Sequence, residues 1–152
     1  GASESDSFGI LAPTASRASS YAQAARICLA PGENGCTIGA DLVRAEASSS
    51  ADAAGARSND GDTKLVGVTV AGTPVPATPD PNTRIEIPGI GYVILNEQFC
   101  DDQASLPDCA GSEHTGLTVR AIHLVVTAPD NPLGLRVGDV IVAEAHSGAT
   151  FI

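Results

Sequence analysis

The chain has 152 residues, enough for one domain with a buried core. Aromatic residues make up 3% of it, with no Trp, two Tyr and three Phe, so the core has to be built from small aliphatic side chains in close layers. Eight Lys and Arg stand against 18 Asp and Glu, a formal net charge of -10, which excludes nucleic acid and anionic bilayers as partners by simple repulsion.

The first 19 residues, GASESDSFGILAPTASRAS, read as a Ser- and Ala-rich N-terminal tail ahead of a single domain over residues 20–152. The tail holds one apolar island, Phe8-Gly9-Ile10-Leu11, closed by Pro13. The island is open to three readings: a short first strand of its own sheet, a floppy tail, or a strand donated to a neighbouring subunit. Ser20 to Leu29 suits either a strand or a helix.

Cys28 and Cys36 flank the turn-rich CLAPGENGC, and Cys100 and Cys109 flank CDDQASLPDC. Even-numbered cysteines bracketing short loops predict two local disulfides and an oxidising compartment. Each bridge is expected to contribute roughly 2–3 kcal/mol by restricting the unfolded chain. With no methionine present, the expectation is a mature chain from which an N-terminal segment has been removed, exported to the cell surface or beyond.

From Ile38 to Ser58 the alanines favour helix, but Ser48-Ser49-Ser50 and Gly55 oppose it. Period two puts Val43, Ala45, Ala47, Ser49, Ala51 and Ala53 on one face, and a strand is preferred. Asn59-Asp60-Gly61-Asp62 reads as a turn. The β pattern is then plain: Thr63 to Ala71, a turn at Gly72-Thr73-Pro74, a Pro-rich corner (Pro76, Pro79, Pro81), Arg84 to Ile87, and Gly91 to Phe99. Thr115 to Thr127 and Val137 to His146 form a final hairpin around APDNPLGLR. The predicted fold is all-β, an antiparallel β-sandwich of jelly-roll or Greek-key type with two disulfide-closed loops. No apolar run is long enough to carry the chain through a bilayer.

The segments LVGVTVAGTPV, PNTRIEIPG, GYVILNEQ, LTVRAIHLVV and DVIVAEAHSG, with Phe8-Gly9 near the start, occur in a recognisable order. In this the chain resembles the choice-of-anchor P family of extracellular bacterial proteins, strongly from Leu65 to Gly148. The resemblance implies a secreted, β-rich surface domain that a variable C-terminal anchor would hold to the cell. These motifs are strand and turn signatures, not catalytic ones, and the expectation is a chain without the anchor segment.

Candidate sites are few. His123 and His146 lie on the last two predicted strands, where a modest register shift would bring them together as metal ligands, with His114 in the loop before. Asp60 and Asp62, Asp101-Asp102 and Asp130-Asn131 offer oxygen ligands of the kind calcium takes, but none completes a calcium loop. The plainer readings, strand histidines bonded to neighbours and ordinary turns, are preferred, so no cofactor is expected. No serine sits in a nucleophile elbow, the cysteines are paired, and Glu97 and Glu144 lack the aromatic platforms of a sugar-cleaving groove. The chain is expected not to be an enzyme. Two functions compete: a structural subunit that polymerises with its own copies into an extracellular filament or surface layer by β-strand complementation, and a monomeric surface module binding glycan or calcium.

Overall fold

The computed structural model describes residues 2–12, 15–54, 57–101, 109 and 114–150. Its regular structure is β throughout, in two antiparallel sheets. The first contains β1 (Ser3–Ala12), β2 (Ala15–Gly32), β3 (Gly35–Asp52), β4 (Arg57–Val66), β5 (Thr69–Val70) and β6 (Thr73–Pro74). The second runs β7 (Thr83–Ile87), β8 (Gly91–Cys100), β9 (His114–Val126) and β10 (Gly138–Thr150). Each strand borders its sequence neighbours, with β4 and β5 following one another along the same side of β3. Both sheets are therefore meanders, simpler than the jelly-roll or Greek-key order expected, because successive strands return beside their predecessors within one sheet. The Pro-rich corner between β6 and β7 makes the step from one sheet to the other.

The sheets face each other across a core without aromatic rings among the described residues. Ile38, Val43, Leu65 and Val70 of the first sheet meet Val93, Leu95, Leu117, Val119, Ile122 and Leu124 of the second. The alternation read from β3 is present: Val43, Ala45, Ala47, Ser49 and Ala51 are all buried, while Ala53 falls in the turn beyond the strand. Small side chains on that face let the layers approach closely, which compensates for the lack of large ones.

Three expectations change. The N-terminal tail is strand: β1 pairs with β2 from Ser3↔Ala24 to Ala12↔Ala15, so the boundary at residue 19 falls inside β2. Pro13, expected to close the island, lies outside the described residues, as does Gly55. Asn59-Asp60-Gly61-Asp62 is not a turn but the middle of β4. Gly61 is needed there because a Cβ would come within 2.7 Å of Val119 Cγ2 and 2.9 Å of Leu117 Cδ2. The strand expected over Thr63 to Ala71 is broken into β4 and β5 at Gly67, where φ is 61° and a Cβ would overlap the Asp41 carboxylate.

That break belongs to a row. Arg26, Asp41 and Gly67 lie side by side across the first sheet, and Asn96, Ala121 and Ala143 across the second. Alternate members, Arg26 and Gly67 in one, Asn96 and Ala143 in the other, have positive φ. At each row the inward face shifts by one residue. On β8, Val93 and Leu95 are buried before it, and Gln98 and Cys100 after it.

Candidate assembly surface

Strand β1 lies at the edge of its sheet, and residues 2–11 are all exposed. Phe8 is 61% exposed, Ile10 51% and Leu11 84%. The island is thus paired to its own chain by a backbone ladder to β2 without being buried. Side chains add little: Tyr21 Oη donates to Glu4 Oε1 at 2.9 Å and Gln23 Nε2 to Glu4 Oε2 at 2.8 Å. The hydrogen bond to Glu4 raises the Tyr21 phenol above its ordinary value, with partial desolvation adding to the effect.

The second sheet ends at β10. There β2 crosses over the edge: Ser16 Oγ donates to the Thr150 carbonyl at 2.9 Å and Ser20 Oγ to the His146 carbonyl at 2.5 Å. The strand expected over Val137 to His146 is β10 and continues as far as Thr150, with residues 151 and 152 lying outside the described ones. Beyond β10 the arm overhangs, and Ser5, Ser7, Ser20, Glu144 and Ala145 frame a notch beneath it. Among the described residues no strand pairs with the outer side of β1 or of β10. Unpaired sheet edges of this kind are where a further strand adds.

The histidines are not brought together. His123 stands opposite Ile141 and His146 opposite Thr118 in the β9–β10 ladder. His123 is buried, its Nδ1 2.7 Å from Glu97 Oε2, while Nε2 lies 3.3 Å from Asp139 Oδ2 without forming a hydrogen bond. His146 Nε2 is 2.8 Å from Asp101 Oδ1. Arg120 reaches Glu97 at 3.4 Å and Glu144 at 2.5 Å. Burial opposes its charge, but the hydrogen bond to Glu144 and the nearby carboxylates leave the guanidinium above its usual value. Glu97 and Glu144 are thus held in this ion-pair cluster on the outer face of the second sheet.

Asp60 and Asp62 lie on the exposed face of β4, opposite Ser48 and Glu46. With Phe8, Tyr21, Arg44 and Glu46 they line an open cleft of about 300 Å³ in which Arg44 stacks 4.0 Å over the Tyr21 ring. Among the described residues no three His, Cys, Asp or Glu side chains converge on a common metal position. Asp102 and the side chain of His114 lie outside the described residues.

Both expected disulfides are present. Cys28–Cys36 ties the β2–β3 hairpin near its turn, and Cys100–Cys109 anchors the end of β8 with both cysteines buried. Sequence reasoning missed the buried polar knot at the end of the Gly91–Phe99 motif. Asn96 Oδ1 accepts from Thr63 Oγ1 and Gln98 Nε2, each at 2.8 Å, and Asn96 Nδ2 donates to the Pro79 carbonyl at 2.9 Å. Gln98 Nε2 also donates to the Gly61 carbonyl at 3.2 Å, so the knot ties the two sheets and the Pro-rich corner together. The signal was there in three polar residues, Asn96, Glu97 and Gln98, interrupting a β-rich apolar run. Compared with known proteins, the chain matches no family model, no curated protein and no solved structure.

Proposed function

We propose that the protein is a secreted structural subunit, free of catalysis, that assembles with its own copies into an extracellular filament or surface layer by β-strand complementation between subunits. The observation that carries this is β1: a ten-residue edge strand holding Phe8, Ile10 and Leu11 uncovered. An arm held by one ladder and burying nothing can exchange its partner at small net loss, since equivalent backbone bonds form in the neighbour. Two disulfides and the resemblance to choice-of-anchor P proteins support an extracellular place of work.

The test is deletion of residues 4–13. Because the side chains of residues 4–11 lie on the surface, the shortened chain should keep its β-rich circular dichroism while losing the ability to form particles larger than a monomer. Native protein imaged by negative stain should show fibres or sheets. A clean monomer across the accessible concentration range would end this reading. It would favour the second one, a monomeric surface module, for which the cleft beside Tyr21 and Arg44 is the natural place for a glycan or, at Asp60 and Asp62, calcium.

A further inference from the structure

Large apolar side chains are exposed mainly at two places. One is the arm, with Phe8, Ile10 and Leu11; the other is the entry to β10, with Val137, Val140 and Ile141. At the second place the surface is hollow. Leu29, Leu124, Val126, Leu135, Val137 and Val140 line an open groove of about 330 Å³ between the far half of β2 and the first half of β10. Among the described residues no strand pairs with the outer side of β2 there, because the β1 ladder reaches only to Ala24, with one further bond from Ala25 N to the Ala2 carbonyl.

The two places are far apart. Ile10 and Leu11 pair with Arg17 and Ser16, whereas Leu29 lies near the opposite end of the same strand. A dozen residues at the rise of a β-strand is about 40 Å. The arm of one molecule therefore cannot reach its own groove. Charge agrees with an occupant from a second copy. Strand β1 carries Glu4 and Asp6 and no cation, while Arg136 lines the groove and Arg26 lies three residues before Leu29, neither having a carboxylate partner among the described residues. Asp139 at the rim is turned toward His123.

We infer that this groove is the acceptor for the β1 segment Phe8–Leu11 of a second copy. The inference rests on the filament reading above and supplies its missing half. An arm at one end and an acceptor at the other make a heterologous contact, and repetition of it gives an open, polar chain of subunits wherever the rotation between copies does not close a ring. Apolar contact gives affinity, and the Arg136 and Arg26 cations set orientation against Glu4 and Asp6.

The experiment uses two full-length variants, each altered only at exposed side chains so that folding is preserved, with circular dichroism as the check. One carries Phe8→Ser and Ile10→Ser in the arm; the other carries Val137→Glu and Val140→Glu in the groove. Wild-type protein should polymerise, and each variant alone should be monomeric by light scattering. Mixed in equal amounts, they should form particles of twice the monomer mass and no larger, because one intact arm meets one intact groove. If the groove variant polymerises like wild type while the arm variant does not, the acceptor lies elsewhere and this inference falls while the filament reading stands. A wild-type chain that never leaves the monomer overturns both, and the groove then belongs to a different partner.

Discussion

Asn96 joins its own strand, the opposite sheet and the Pro-rich corner. It bonds Thr63 of the opposite sheet, Gln98 of its own strand and the Pro79 carbonyl, and its backbone has φ of 51°, a region that Asn tolerates better than most residues. Replacing it with Ala leaves the Thr63 hydroxyl and the Pro79 carbonyl without their partner inside the protein, and each such group costs about 1–3 kcal/mol. Asn96→Gly removes the same bonds but relieves the positive φ, so it should be less destabilising than Asn96→Ala by about 1 kcal/mol. Urea unfolding of the two variants checks the order. Equal midpoints would mean that the backbone conformation at Asn96 carries no strain.

Among the elements, β3 was legible because its inward residues repeat at two without a break from Val43 to Ala51, beyond the row at Asp41. The hairpin of β9 and β10 was legible from two β-rich runs on either side of the turn-rich APDNPLGLR. What hid the rest was the pair of rows at which the inward face slips by one. Nothing in the residue types of Arg26 or Ala143 announces a positive φ, and only Gly67 and Asn96 give a hint. The arm was hidden because a strand that buries nothing needs no hydrophobic period, and β4 because Gly61 serves close packing and not a turn. Of the candidate site residues, the four cysteines were readable by proximity, whereas the separation of His123 from His146 depends on a register that only the ladder fixes. The two disulfides also differ in a way sequence spacing could not show. Cys28 is exposed and Cys36 half-buried, while Cys100 and Cys109 are both in the core. Under mild reductant, thiol labelling followed by peptide mass mapping should mark Cys28 and Cys36 first. Cys28→Ser with Cys36→Ser should lower stability by at most about 2–3 kcal/mol, since the hairpin ladder already restrains that loop. Cys100→Ser with Cys109→Ser should cost more, because two hydroxyls then replace buried sulfur.

At the scale of the whole molecule, a net charge of -10 opposes any homopolymer, since every subunit repels the next. The attractive pairs offered by Arg136 and Arg26 would be exposed ones, each contributing about 0–1 kcal/mol. Ionic strength separates the two effects. At about 0.01 M salt the screening length is about 30 Å, comparable with the subunit itself, so the whole charge of one copy acts on its neighbour. At about 0.15 M it falls to about 8 Å, and only groups near the contact still interact. Repulsion is a long-range sum over the molecule and loses more from screening than a few short pairs do. The critical concentration for assembly should therefore fall as salt rises over this range, read by light scattering at constant pH. A rise would mean that local ion pairs, and not the apolar side chains of the arm, hold the subunits together.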